Sequence, residues 1–154
     1  MTLRAFMGGT LDPVHFGHLR IADGVRRALG LSELALLPTA VPPHKSPGGL
    51  TPIDHRVKML RLALETFPGL TLCESELGAQ VSYTVDTLRA LRDATPGMRP
   101  VFVVGMDSVH QLHTWKDHRG LLEEFDLIAV ARPDHESPAV PAPEVLEQIR
   151  PTLD

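Results

Sequence analysis

Gly8-Gly9-Thr10-Leu11-Asp12-Pro13-Val14-His15-Phe16-Gly17-His18 leaves a short apolar run, Leu3 to Met7. It enters a segment where Ile21, Val25, Ala28 and Leu29 recur at helical spacing. A strand, a glycine-rich turn and a helix in that order open a βαβ unit. Glycines let backbone N–H groups approach phosphate oxygens, and a helix N-terminus adds a favourable dipole. His15 and His18, three apart at that terminus, can lie on one side of it and donate ring N–H bonds. The spacing is neither the dinucleotide G-x-G-x-x-G nor a P-loop ending in Gly-Lys-Ser/Thr. One histidine at a helix start reads as a cap; two, with a glycine between them and a Gly-Gly entry behind, read as a phosphate-binding loop. No nearby Cys or Glu completes a tetrahedral metal set with them.

Outward from this loop, apolar runs and helical patterns alternate. Gly30 is a C-terminal stop for the first helix, and Leu34 to Leu37 is a second strand closed by Pro38. Thr51-Pro52-Ile53-Asp54 opens a helix, with Thr51 as cap, Pro52 at the first helical position and Asp54 facing the dipole. Val57, Leu60 and Leu64 are its buried stripe. Leu70 to Cys73 is a third strand, and Ser82 or Thr84 caps a helix carrying Val85, Leu88 and Leu91. Val101 to Val104 is continuously apolar, as a central parallel strand should be. A polar, His-containing segment, a helix near Gly120 to Glu124 and a fifth strand, Leu127 to Ala131, follow. The pattern predicts an α/β, doubly wound, Rossmann-like five-stranded parallel sheet of order 3-2-1-4-5. Ligands in such sheets bind beyond the carboxyl ends of the strands, at the switch point between strands 1 and 4.

Composition narrows the function classes. The 154 residues hold one core, with 43% hydrophobic and 22% charged residues. No apolar run approaches the roughly 20 residues of a membrane helix, and residues 1 to 7 lack a signal peptide's apolar stretch. The chain reads as cytoplasmic, with no membrane partner. A net charge of −4 argues against nucleic acid as a partner, so an anionic ligand needs a local cluster of donors. Cys73 is the single cysteine and reads as a buried structural thiol. No metal is expected to be held by protein alone.

The loop Gly8 to His18 resembles the H-x-G-H signature of the nucleotidyltransferase superfamily, with Leu11 where most members carry Phe. Three later segments resemble its nicotinate mononucleotide adenylyltransferase branch. Val41-Pro42-Pro43-His44-Lys45 resembles a Pro-Pro-His-Lys/Arg element, whose prolines lessen the entropy lost in holding His44 and Lys45 over an anion. Ser82-Tyr83-Thr84 resembles the segment in which a helix N-terminus meets the pyridine carboxylate. Gly105-Met106-Asp107-Ser108 and Trp115 resemble a Gly-x-Asp and a Trp that stacks on the nicotinate ring; Arg132-Pro133 matches a further position. The resemblance runs from about Thr2 to Pro133.

The resemblance implies transfer of AMP from ATP to nicotinate mononucleotide, giving nicotinate adenine dinucleotide and pyrophosphate in NAD biosynthesis. It implies His15, His18 and Lys45 as catalytic groups. Gly8, Gly9, Thr10, His15, Gly17, His18, Gly105 and Asp107 would bind ATP. His44, Lys45, Tyr83, Thr84, Trp115 and Arg132 would bind nicotinate mononucleotide. Mg²⁺ would ride on the nucleotide, and a homo-oligomer is compatible with the family. Members normally continue to an Ile-Ser-x-Thr-x-Ile-Arg motif, which this chain does not show; Ile149-Arg150 is a two-residue echo. The expected organisation is therefore a single nucleotidyltransferase domain over residues 1–154 lacking the family's C-terminal helical part, with 134–154 an extended or weakly ordered tail. Pantetheine-phosphate adenylyltransferase, of the same fold, and a nucleotide-binding remnant without turnover remain as alternatives.

Overall fold

A computed structural model describes residues 1–42, 47–78 and 81–131. Five strands, β1 (Thr2–Gly9), β2 (Leu34–Pro38), β3 (Leu70–Leu72), β4 (Met98–Gly105) and β5 (Asp126–Val130), form one sheet of order β3-β2-β1-β4-β5. All four pairings are parallel. Between them run α1 (Phe16–Ala28), α2 (Ile53–Leu64), α3 (Thr84–Ala94), α4 (Met106–His110) and α5 (His118–Glu124).

Alternation along the strands sorts side chains into two layers. Ala5 and Met7 of β1, Leu34 and Leu36 of β2 and Val103 of β4 pack with Leu19 and Ala22 of α1 and Leu60 of α2. Their neighbours Phe6, Ala35, Leu37, Phe102 and Val104 face the other way, onto Val85 and Leu88 of α3 and Leu121 of α5. Register makes this exact pairing work: Phe6 lies between Ala35 on β2 and Phe102 on β4. Because both faces are covered, the central strands need apolar residues at every position, which is why Val101 to Val104 is an unbroken run. Phe6, Leu60 and Leu88 are fully buried, and each such side chain contributes roughly 1.5–3 kcal/mol.

The predicted sheet order stands, and several local readings are corrected. Thr51 does not cap α2: the helix starts at Ile53 behind Pro52, with no side-chain cap. Thr51 N instead donates to Asp12 Oδ2 at 2.9 Å, which ties it to the loop after β1. Neither Ser82 nor Thr84 caps α3; Tyr83 holds that position with no side-chain bond. Cys73 is half-buried, its Sγ 3.1 Å from Ser75 Oγ, because β3 ends at Leu72 at the edge of the sheet. The polar segment after β4 contains the short helix α4, which local periodicity is too brief to reveal. Gly30 closes α1 as read, with φ +65°.

Gly8 sits where β1 meets β4. A Cβ there would lie 2.6 Å from Phe102 Cζ, inside the core ring. Gly8→Ala is therefore expected to lose about 1–3 kcal/mol in urea denaturation; unchanged stability would contradict this close approach.

Candidate active site

The loop leaving β1 turns through buried Leu11, at φ +50°, before α1 begins. His15 is the N-cap of α1 and forms a reciprocal box with His18. His18 N donates to His15 Nδ1 at 3.4 Å, and His15 N donates to His18 Nδ1 at 3.2 Å. The rings stack with centroids 3.7 Å apart. A neutral imidazole whose Nδ1 accepts carries its proton on Nε2, so each ring presents Nε2–H as its donor. Gly17 makes this possible, since a Cβ there would lie 2.9 Å from the His15 ring. The histidines are thus caps and a paired donor set at once.

Two cavities flank the carboxyl ends of β1 and β4. One, of about 410 Å³, is lined by His15, His18, Asp12 and Asp107 among others. The second, of about 240 Å³, is lined by Tyr83, Thr84, Trp115 and Lys116 among others. Gly8, Gly9, Thr10 and Gly105 border both. The second cavity reaches the N-terminus of α3, where no side chain caps the helix and backbone donors are oriented for an anion. Trp115 is half-buried against the core beneath it. Lys116 Nζ lies 2.6 Å from Asp86 Oδ2 and 4.8 Å from the Tyr83 ring centroid, bridging the Trp115 segment to α3.

The cytidylyltransferase-like family model matches residues 6–152. A Symbiobacterium thermophilum protein named "Probable nicotinate-nucleotide adenylyltransferase" is 39% identical over 150 residues, 97% of this chain and 71% of its own length. An Aeromonas salmonicida protein of the same name is 43% identical over 128 residues, 82% of this chain and 59% of its own length. The chain belongs to the nicotinate-nucleotide adenylyltransferase family. It spans roughly three fifths to seven tenths of these two relatives. The fold is also that of the Plasmodium falciparum nicotinic acid mononucleotide adenylyltransferase complexed with NaAD, with a TM-score of 0.80 and 19% identity over 96% of this chain and 71% of that one.

For a member of this nucleotidyltransferase family, the sequence-predicted residues divide cleanly. His15, His18 and Asp107 line the larger cavity, and Tyr83, Thr84 and Trp115 the smaller. Gly17 acts through the His15 ring. His44, Lys45 and Arg132, like the tail at 134–154, lie outside the described residues. Among the described residues no cluster of three or more His, Cys, Asp or Glu is arranged to hold a metal ion, and no helix is long and apolar enough to cross a membrane.

Two buried charged residues beside the site were missed. Arg56, 1% exposed, donates to four backbone carbonyls: Thr51 and Thr10 at 2.8 Å, Thr39 at 2.7 Å and Ala40 at 2.8 Å. Burial pulls its pKa down and Asp12 pushes it back up; a guanidinium stays charged throughout. Its signal was positional, since Arg56 lies four residues before Leu60 on the buried face of α2. Glu76 is also buried, and its Oε1 accepts from Thr87 Oγ1 at 2.6 Å. No periodicity announces it, for it stands in a turn.

Burial raises the Glu76 carboxyl above its ordinary range, against the opposing hydroxyls of Thr87, Thr39 and Ser82. A folded pKa above the unfolded one means the stability it carries is complete below the unfolded value and lost as pH rises through the folded value. Glu76→Gln cannot ionise. Its melting temperature relative to wild type is expected to climb between pH 5 and pH 8; a constant difference would show that Glu76 does not titrate abnormally.

Proposed function

We propose that the protein transfers the adenylyl group of ATP to nicotinate mononucleotide. The observation that carries this reading is the pair of cavities sharing the wall Gly8 to Thr10. One has two imidazole donors at a helix N-terminus; the other has an uncapped helix N-terminus and a tryptophan face. The first suits a triphosphate and the second an aromatic ring bearing a carboxylate. The names of the relatives support the same pairing of substrates.

In this reading an ionised phosphate oxygen of nicotinate mononucleotide attacks the α-phosphorus of ATP. The new P–O bond forms as the bond to the β-phosphate oxygen breaks, and that oxygen leaves with pyrophosphate. The nucleophile already carries its charge, so no general base is required. The protein's work is alignment and charge stabilisation. His15 and His18 donate Nε2–H to phosphate oxygens as charge moves toward the leaving group. His44, Lys45 and Arg132 supply positive charge in the roles the family resemblance gives them. Mg²⁺ would enter on the nucleotide, neutralising phosphate charge, and Asp107 on the same cavity fits a carboxylate that helps hold a largely hydrated ion. A cytoplasmic location accompanies this reading.

Incubation with ATP and Mg²⁺, and in turn with nicotinate mononucleotide, nicotinamide mononucleotide or phosphopantetheine, tests it. Pyrophosphate release is expected with the first acceptor. Release with phosphopantetheine alone would assign the chain to the pantetheine branch, and binding without release would make it a nucleotide-binding remnant. His18→Ala is expected to lower kcat by about 100-fold while leaving nicotinate mononucleotide affinity within a few-fold. Near-normal turnover would remove His18 from the chemistry.

A further inference from the structure

Between β3 and α3 lies a buried carboxylic acid that adenylyl transfer, as described above, does not use. Glu76 is 5% exposed. One of its oxygens is bonded by Thr87, but Oε2 is buried with no hydrogen-bond partner among the described residues. Ser82 is 7% exposed, and its Oγ is unpartnered in the same way. Both residues line the smaller cavity with Tyr83, Thr84 and Trp115. Buried polar atoms in native proteins are almost always hydrogen-bonded. The hydroxyls of Ser82 and Thr39 stand close enough to Glu76 to draw its pKa down without closing a hydrogen bond to Oε2, so a ligand's polar group on this cavity wall can make the bond that Oε2 and Ser82 Oγ lack.

The charge on Glu76 decides which group that is. An ionised carboxylate only accepts, so it favours the N–H₂ of a carboxamide and repels a second carboxylate. A protonated carboxyl donates, and with the Ser82 hydroxyl it can bind both oxygens of a ligand carboxylate. Burial already favours the neutral form, and an entering carboxylate favours it further, since two like charges in one site cannot both ionise cheaply. We propose that Glu76, with Ser82, determines acceptor specificity: as a neutral acid it donates to the carboxylate of a pyridine-carboxylate mononucleotide, and as a carboxylate it turns preference toward the carboxamide. This rests on the acceptor cavity assigned under the proposed function. The proton comes from solvent as the acid ligand enters and returns when it leaves.

Other titratable or charged side chains surround Glu76. Tyr83 and Lys116 line the same cavity, Asp86 lines a shallower one behind it, and Cys73 and Glu74 precede it in the chain. Leu37 and Thr39 of the β2 end bring no charge. Glu76→Gln keeps all of these groups, so a pH effect that vanishes with it belongs to Glu76.

The test is calorimetric binding of nicotinate mononucleotide and nicotinamide mononucleotide to the whole chain from pH 6 to pH 9. In wild type the ratio of acid Kd to amide Kd is expected to rise by about tenfold or more across that range, with proton uptake on acid binding only. In Glu76→Gln the ratio is expected to be flat. A flat ratio in wild type, or a pH dependence that survives in Glu76→Gln, overturns the proposal. Should the Gln variant not fold, Ser82→Ala is expected to weaken acid binding about tenfold and amide binding less than about twofold; equal losses overturn it. Binding of neither ligand overturns the acceptor-cavity reading as well, whereas adenylyl transfer to the acid with a flat ratio overturns the role of Glu76 alone.

Discussion

A single guanidinium ties the loop after β1, which borders both cavities, to the segments after β2 and before α2. Arg56 reaches from α2 to the carbonyls of Thr10 after β1, Thr39 and Ala40 after β2, and Thr51 before α2 itself. Loops at the carboxyl ends of parallel strands have no ladder to fix them, and their carbonyls face inward. Satisfying four of them with one rigid, planar, charged fork orients the turns without further secondary structure. Asp12 adds the reciprocal contact through Thr51 N, and Thr39 N donates to Gly9 O at 3.0 Å. Thr10 and Thr39, which border the smaller cavity, are therefore placed by the same side chain. An apolar residue could fill the volume of Arg56 but would leave buried carbonyls unpaired, at about 1–3 kcal/mol for each.

This clamp explains how an acidic chain can be built to receive anions. With a net charge of −4, the long-range field gives no help. In the proposed reading the attraction is local: Nε2–H donors of two stacked imidazoles, first-turn amides of α1 and α3, and backbone near Gly8 and Gly9. Such dipoles act only at close range, so their positions matter more than their number. The ion pair Lys116–Asp86 and the contacts of Arg89 with Asp117 and Glu124 are exposed. Their contribution is to fix the segment carrying Trp115 relative to α3 rather than to stabilise the fold.

The sheet was legible because its signal is repeated. Val101 to Val104, Leu34 to Leu37 and Leu3 to Met7 each reported a strand buried on both faces, and glycines and prolines separated them from helical stripes. The histidine loop was legible because its residue types have few other reasons to occur at that spacing. Caps were harder: Thr51 has the right chemistry for an N-cap, yet tertiary contact with Asp12 claims its backbone. Glu76 and Arg56 were missed for one reason. A charged residue buried by partners distant in sequence, such as Thr10 forty-six positions before Arg56, shows its partners nowhere in the local pattern, even where, as for Arg56, its helical position is on the buried face. Residue type alone assigns such a side chain to the surface.

The coupling exerted by Arg56 is most directly tested by measuring, on one Arg56→Lys preparation, the affinities for a non-hydrolysable ATP analogue and for nicotinate mononucleotide. Far-UV circular dichroism of the same sample reports whether the sheet persists. Lysine keeps the charge but cannot bond four carbonyls in a plane. The expected result is a retained sheet with both affinities falling together by about tenfold or more. Loss of one affinity alone, or of neither, would show that the two cavities are not held by a common clamp.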